Sequence, residues 1–225
     1  MKNFAFIFAR GGSKRIKNKN LQKIKNKNLL EIAINQASRI KKIDKIFVST
    51  DSKKIASFVS NFNVEIIKRP KFLSKDNSSE WHAWQHAIKQ VKKKYYFEKF
   101  ICLPVTSPLR KNIDIINCIN KLNKKIDIII TVQETNRNPW YNMVKINSKN
   151  CLEVINKHTK KIIDTRQKAP KVYDMTTVCY VSTPEYILKK KSIFSGNVKA
   201  VIIPQERALD IDSYFDLKLS KLLYK

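Results

Sequence analysis

Apolar and polar residues alternate along this chain in two periods, one typical of strands and the other of helices. Apolar runs of strand length occur at 4–9, 45–49, 64–68, 100–103 and 126–132. Segments with apolar residues at helical spacing lie between them, at 28–40, 52–61, 79–91 and 113–122. Alternating strands and helices form parallel βαβ units, and strands that are apolar throughout belong to a sheet covered on both faces. The pattern predicts an α/β fold of three layers (α/β/α) with a mostly parallel sheet.

This alternation is interrupted from about residue 134 to 174. Short apolar stretches at 143–146 and 152–155, separated by turn residues, predict a hairpin arm that leaves the sheet. The main layer then resumes with two strands and a last helix, at 176–181, 200–203 and 213–223. We therefore predict a single domain over residues 1–225 that carries one inserted arm.

The chain is strongly basic, with 46 Lys+Arg against 18 Asp+Glu in 225 residues and a formal net charge of +28. Such a charge attracts anions in general. Only eight of the basic residues are Arg, however, and the lysines are spread along the chain among many Asn and Ile residues, the types that A+T-rich codons encode. We expect no nucleic-acid partner, and a basic nucleic-acid-binding protein without catalysis is the remote alternative.

The apolar runs and the cysteines both predict a cytoplasmic protein. The longest apolar runs fall far short of the ~20 residues that a membrane-spanning helix needs, and the run at 4–9 is too short for a secretory signal. The four cysteines form no CxxC pair, which argues against a zinc ribbon and a disulfide scaffold. We expect no membrane insertion.

Two of the three glycines in the chain are adjacent, in a loop that follows the first strand. This loop reads Ala9-Arg10-Gly11-Gly12-Ser13-Lys14, and Lys19-Asn20 follow it. Backbone amides of a glycine turn donate to phosphate oxygens, while Arg and Lys side chains neutralise the charge. The loop therefore predicts a polyphosphate site, although it matches neither the Walker A motif nor GxGxxG. An ordinary glycine turn with solvated lysines is the alternative.

Two aspartates lie one residue apart near the C-terminus, in Asp210-Ile211-Asp212, directly before the last predicted helix. In an extended segment both carboxylates project to the same face. Mg²⁺ is commonly held by one or two carboxylates together with substrate phosphates, so Asp210 and Asp212 are candidate metal ligands. The alternative is that Asp212 or Ser213 only caps the helix.

Three further polar segments follow predicted strands, at the edge where open α/β sheets bind ligands. They are Ser49-Thr50-Asp51, Arg69-Pro70 with Ser79 close behind, and Thr106-Ser107-Pro108-Leu109-Arg110. Pro108 stiffens its turn, and we expect Arg110 to reach an anion.

Together these segments resemble the CMP-sialic acid synthetases, the acylneuraminate cytidylyltransferase family. The likeness spans about residues 4–217, and Arg166-Gln167 matches a further family motif in the right order. The resemblance implies a Rossmann-like nucleotidyltransferase fold and a homodimer whose subunits exchange the arm. It also implies a reaction of CTP with a nine-carbon 2-keto sugar acid, with Mg²⁺ as cofactor, that gives the CMP-sugar and pyrophosphate.

The resemblance also assigns roles to the matching residues. It gives Arg10 and Lys19 the binding and activation of the triphosphate, and it makes Asp210 and Asp212 the metal ligands. Asn20, Arg69 and Ser79 match the cytidine site, and Arg166 and Gln167 would reach the sugar acid from the arm, in the same subunit or in its partner. The expected substrate-binding set is completed by Gly11, Gly12, Ser13, Lys14, Thr106, Ser107 and Arg110.

This chain departs from the family pattern at several positions. Arg15 and Lys17 stand where the family usually has Gly and Pro. Pro104 or Val105 replaces a Gln that helps to hold the sugar, and Thr176-Thr177 replaces an Asn-Gly pair. The acceptor therefore stays open among sialic, legionaminic and related acids.

Two alternatives also stay open. The base that takes the hydroxyl proton is either Asp212 or a hydroxide held by the metal. The eight-carbon acid Kdo is the nearest alternative acceptor, although Kdo enzymes carry Lys-Pro where this chain has Lys19-Asn20.

Overall fold

The computed structural model describes residues 2–156 and 163–224. The strands are β1 (Asn3–Phe8), β2 (Lys23–Ile24), β3 (Lys27–Asn28), β4 (Lys45–Thr50), β5 (Glu65–Lys68), β6 (Lys99–Cys102), β7 (Ile128–Glu134), β8 (Val144–Ile146), β9 (Leu152–Val154), β10 (Tyr173–Ser182) and β11 (Val198–Ile202). The α-helices are α1 (Leu29–Ser38), α2 (Lys53–Val59), α3 (Glu80–Lys92), α4 (Asn112–Lys121), α5 (Pro184–Lys189) and α6 (Tyr214–Leu223).

Seven of the strands form one sheet, in the order β11-β7-β10-β6-β1-β4-β5. β10 runs antiparallel to both of its neighbours, while the remaining pairs of this sheet are parallel. The pairs β2–β3 and β8–β9 are separate two-stranded hairpins. The predicted α/β fold with a mostly parallel sheet is therefore confirmed.

Each face of the sheet carries its own apolar core, as strands that are apolar throughout require. On one face, residues such as Ile7 and Ile101 pack against α1, α2, α4 and α6. On the other face, a cluster of aromatic side chains that includes Phe6 and Phe100 packs against α3 and α5. The sheet is thus the middle layer of three, and its loops at the carboxyl ends of β1, β5 and β6 meet on one edge.

The arm leaves the sheet between β7 and β10. β7 and β10 remain paired as far as Glu134 and Tyr173, so the base of the arm belongs to the sheet. Beyond that base the predicted hairpin is present as β8–β9, and residues 157–162 of the arm lie outside the described residues. Helix α5 and the hairpin β2–β3 were not predicted, because each is too short to show a period in the sequence.

In the described part of the chain, no helix has the length and apolarity to cross a membrane.

Candidate active site

A cleft of about 600 Å³ opens at the carboxyl ends of the parallel strands. One wall is the loop after β1, and the facing wall runs from the end of β5 into α3. The cleft is lined by nine of the predicted site residues: Arg10, Ser13, Lys14, Lys19, Asn20, Arg69, Ser79, Thr106 and Asp212. The structure thus brings together residues from five separate stretches of sequence.

Gly11 anchors the loop after β1 to the end of β4. Its amide donates to Oδ1 of Asp51 at 2.9 Å, and a Cβ at this position would lie 2.9 Å from Cβ of Ser52. The close approach of the two loops explains the glycine. Gly12 has open space where a Cβ would lie, and neither glycine lines the cleft. The Gly11 amide therefore holds the loop and is not available as a phosphate donor.

The turn at Lys19–Leu21 brings a lysine to the rim of the cleft. Asn18 adopts a left-handed conformation with φ of 53° before this turn, and the buried Asn20 amide donates to the carbonyl of Arg10 at 2.8 Å. These contacts order the loop. The Lys19 ammonium then donates to the carbonyl of Ile211 at 2.7 Å and to Oδ1 of Asp212 at 3.1 Å. The basic loop and the C-terminal aspartates thus meet directly.

Helix α6 begins without using either aspartate of the pair as its cap. Ser213 takes the N-cap position, and its hydroxyl accepts from the amide of Asp216 at 3.2 Å. Ile211 is fully buried, and its amide donates to the carbonyl of Thr106 at 2.9 Å. Of the two caps that the alternative offered, the structure has Ser213 and not Asp212.

An ion pair missed by sequence reasoning fixes the turn before these aspartates. Arg207 donates to both carboxylate oxygens of Asp114 at 2.9 and 3.1 Å, and Asp114 is 1% exposed. A bidentate pair of this kind fixes orientation as well as distance. It joins α4 to the segment that leads into Asp210.

The carboxyl of Asp210 is buried close to a second carboxylate. Burial raises the pKa of its carboxyl, the Thr106 hydroxyl opposes this shift, and the nearby Asp212 carboxylate adds to it. Its Oδ1 atom is buried and has no hydrogen-bond partner, which is uncommon for a buried polar atom. The described residues contain no cluster of three or more His, Cys, Asp or Glu side chains, so a hard cation here would depend on the two aspartates together with its substrate.

Arg69 and Glu80 shape the opposite wall. The buried Arg69 guanidinium donates to the hydroxyl and the carbonyl of Ser49 at 3.1 and 2.8 Å and lies over the ring of Phe8. Burial lowers the pKa of Arg69 to about 10, so it is charged at neutral pH. Desolvation in the cleft raises the pKa of Glu80, with Arg69 opposing and Asp210 reinforcing that shift. Sequence reasoning missed Glu80, because an acidic residue in the first helical turn is ordinary.

Two predicted binding residues lie in the core. Ser107 is fully buried, and its hydroxyl lies 2.7 Å from that of Thr177. Arg110 is 3% exposed and donates to Gln36, to the carbonyl of Val178 and to the carbonyl of Pro104. We therefore correct the expectation that Arg110 reaches an anion: its guanidinium is committed to neutral acceptors that hold the loop after β6.

Arg166 and Gln167 lie on the arm and do not line the cleft of this chain. They form a short turn with Lys168, and Arg166 donates to the carbonyl of Asn136 at 2.7 Å on the surface.

The sequence and the fold resemble those of known proteins over nearly the whole chain. A family model described as cytidylyltransferase matches residues 4–224. The chain is 33% identical to the CMP-N,N'-diacetyllegionaminic acid synthase of Campylobacter jejuni, over 96% of this chain and 92% of that one. It is 31% identical to the post-translational flagellin modification protein B of Campylobacter coli, over 97% and 93%.

A solved structure of CMP:2-keto-3-deoxy-manno-octonic acid synthetase with CTP has the same fold, with a TM-score of 0.71. It covers 99% of this chain and 98% of its own at 14% identity.

Proposed function

The chain belongs to the cytidylyltransferase family, and from this we propose that it transfers CMP from CTP to the anomeric hydroxyl of a nine-carbon 2-keto sugar acid, with release of pyrophosphate. One observation carries the proposal: the basic loop after β1 meets the C-terminal aspartates at the rim of the cleft, where Lys19 contacts Asp212. Cations opposite carboxylates suit a substrate that carries a polyphosphate and a metal ion.

The basic loop binds and neutralises the triphosphate. Arg10, Lys14 and Lys19 line the same wall, and their charges stabilise negative charge that moves onto the leaving pyrophosphate. The sugar hydroxyl loses its proton to a base, for which the Asp212 carboxylate is the candidate in the described cleft, and its oxygen attacks the α-phosphorus in line. The bond between the α-phosphorus and the oxygen that bridges to the β-phosphorus breaks, and pyrophosphate leaves. Such a transfer depends mainly on positioning and charge neutralisation, and this cleft provides both.

Asp210 and Asp212 fit a magnesium ion. The unpartnered buried Oδ1 of Asp210 and the exposed carboxylate of Asp212 are hard oxygen donors, the kind that Mg²⁺ prefers. When bound, the ion would neutralise phosphate charge. Lys19 holds the Asp212 side chain at the cleft.

The facing wall holds the nucleoside. Arg69 and Ser79 line this wall, and Asn20 lines the cleft from the loop after β1. The Ser79 side chain makes no capping hydrogen bond although it precedes α3. Its hydroxyl is therefore not committed to the helix. Thr106 completes the site beside Asp210.

A nine-carbon acceptor is favoured over Kdo. The relative at 33% identity is named for a legionaminic acid derivative, whereas likeness to the Kdo enzyme at 14% identity extends to the fold alone. CTP and such sugars are intracellular metabolites, so we place the reaction in the cytoplasm.

We also propose a homodimer formed through the arm. The β8–β9 hairpin exposes Val144, Ile146 and Leu152, which are 51%, 67% and 69% exposed. A two-stranded hairpin with exposed apolar residues on both strands is barely stable alone. A second copy of the chain would cover these side chains and bring Arg166 and Gln167 near the partner's cleft.

The test is pyrophosphate release from CTP and Mg²⁺ with a panel of acceptors: N-acetylneuraminate, diacetyl-legionaminate, pseudaminate and Kdo. Release with one nine-carbon acid would support the proposal and identify the acceptor. Release with Kdo alone would contradict the nine-carbon acceptor but would still support the transfer of CMP from CTP to a sugar acid. A folded protein that releases no pyrophosphate and gains no thermal stability from CTP would contradict the proposal as a whole.

A further inference from the structure

The carboxylate of Asp76 forms ion pairs with two of the cations that line the cleft. Its Oδ1 lies 3.0 Å from Nη1 of Arg10, and its Oδ2 lies 2.6 Å from Nζ of Lys14. One carboxylate thus spans two cations from the loop after β1. The ammonium of Lys14 and the guanidinium of Arg10 lower the pKa of Asp76, so the carboxylate is ionised at neutral pH.

The loop that carries Asp76 joins the two ends of the nucleoside wall. It begins after Arg69, whose amide donates to the carbonyl of Thr50 at 2.8 Å, and it ends at Ser79, where α3 begins. Within this 70–79 loop the Ser78 hydroxyl donates to the carbonyl of Phe72 at 2.6 Å, which keeps the loop compact. The Asp76 contacts tie its tip to the opposite wall.

We propose that Asp76 is an internal competitor for the substrate phosphates, which holds Arg10 and Lys14 in the ligand-free enzyme and releases them when a triphosphate binds. The inference rests on the proposed function, because it takes Arg10 and Lys14 as phosphate ligands. A carboxylate that lies between two cations presents one oxygen to each of them, as two oxygens of a phosphate group would. A triphosphate that enters the cleft meets the same cations and is repelled by Asp76 unless these contacts open.

Two consequences follow from this arrangement. Phosphate binding frees the tip of the 70–79 loop, so the phosphate end of the cleft is coupled to the wall that holds the nucleoside. Asp76 also weakens the affinity for any polyphosphate, since part of each cation's charge is already neutralised. A simple structural tie predicts the opposite, because its loss would disorder the wall and weaken binding.

Asp76→Asn separates the two possibilities by the sign of its effect. Isothermal titration with CTP, without metal or sugar, should show binding about threefold to tenfold tighter than in the unsubstituted protein, the range expected for one or two exposed ion pairs. Asp76→Glu, which keeps the charge, should bind as the unsubstituted protein does. Glu185→Gln removes a similar exposed ion pair, with Lys92 at 2.7 Å, far from the cleft, and serves as the control. If the unsubstituted protein binds CTP, weaker or unchanged CTP binding by Asp76→Asn would overturn the proposal.

Lys14→Met provides an independent test. In the unsubstituted protein Asp76 offsets this cation, so its loss should weaken CTP binding less than it does in the Asp76→Asn background. Equal losses in both backgrounds would contradict the competition. Both effects should shrink as the salt concentration rises.

Inorganic tripolyphosphate distinguishes failure of this inference from failure of the proposed function, because it engages the cations and lacks the base. Tighter tripolyphosphate binding by Asp76→Asn in a protein that ignores CTP would support the inference and contradict the proposed function. Tight CTP binding that does not change with Asp76→Asn would support the proposed function and contradict the inference. Binding of neither compound would overturn both.

Discussion

Lys19 and Asp212 stand 193 positions apart in the sequence, yet Nζ of Lys19 lies 3.1 Å from Oδ1 of Asp212. The contact joins the loop after the first strand to the turn before the last helix. Arg15 approaches the other oxygen of Asp212 at 3.6 Å. Two cations from the loop after β1 thus hold this exposed carboxylate at the cleft.

Replacing Asp212 by Asn is expected to remove turnover and leave the fold intact. Its side chain is 56% exposed and caps no helix, so little stability depends on it. Loss of a charge that organises the reacting phosphates should lower kcat by about 100-fold or more. The measurement is pyrophosphate release beside a thermal melt, with Glu185→Gln as the control. Retained CTP- and sugar-dependent activity would contradict the metal assignment.

Replacing Asp210 by Asn is expected to lower activity and to raise the stability of the ligand-free protein. Burial raises the pKa of this carboxyl, so the folded state binds its proton more tightly than the unfolded chain does. That contribution to stability is fully present below the unfolded pKa and is lost as pH rises through the folded pKa. At pH 7 the buried negative charge of this carboxylate, whose Oδ1 has no hydrogen-bond partner, therefore lowers stability by an amount on the order of 1 kcal/mol, which Asn avoids.

Urea unfolding at several pH values checks this prediction. The gain of Asp210→Asn should be largest near neutral pH and should shrink toward pH ~4, close to the unfolded pKa of Asp. With saturating CTP and Mg²⁺ the unsubstituted protein should become more stable than Asp210→Asn, because these ligands should stabilise it more than they stabilise the variant. A variant less stable than the parent at pH 7 would show that Asp210 has a structural role.

Replacing Arg110 by Met is expected to destabilise the fold without a specific effect on CTP. The substitution leaves the acceptors on Gln36, Val178 and Pro104 without their donor, which should cost about 3 kcal/mol. Denaturant unfolding measures the loss, and the KM for CTP of the folded fraction should stay within about twofold of the parent. A large rise in that KM with unchanged stability would restore the role in anion binding.

The sequence predicted the layers and the location of the site because both follow from local patterns. Apolar runs such as 4–9 predicted buried strands, and parallel strands place their following loops on one edge. The antiparallel direction of β10 was not predictable, because the pattern of apolar residues in a strand does not depend on the direction in which the strand runs in the sheet. The paired glycines were recognised, but only the structure shows that Gly11 is needed for its approach to Ser52.

The remaining features that the sequence did not predict are contacts of charged side chains whose partners lie far away in the sequence. Arginine is usually a surface residue, and the sequence near Arg110 does not indicate that neutral acceptors surround its guanidinium. Asp76 contacts residues more than 60 positions earlier, and Asp114 pairs with Arg207 across 93 positions. Such pairs depend on how loops from different strands fold together, which periodicity does not encode.

Charged substitutions on the arm are expected to prevent dimer formation. Ile146→Asp with Leu152→Asp places two charges on the apolar surface of the β8–β9 hairpin, where they would be buried without partners in an interface. Sedimentation or light scattering should show a monomer with native circular dichroism. Exposed Phe194→Asp, outside the arm, is the control. A dimer that survives the double substitution would place the interface elsewhere.

A mixture of two inactive variants tests whether Arg166 acts across the dimer. Arg166→Ala impairs the arm and Asp212→Asn impairs the cleft, and the structure keeps these residues apart within one subunit. If the arm serves the partner's cleft, a mixed dimer contains one intact site, because the Arg166→Ala subunit supplies the cleft and its partner supplies the arm. Random mixing should then restore about a quarter of the parent activity. If Arg166 serves its own subunit, every site in the mixture carries a defect and no activity returns. Co-expression with two affinity tags isolates the mixed dimer and makes the comparison direct.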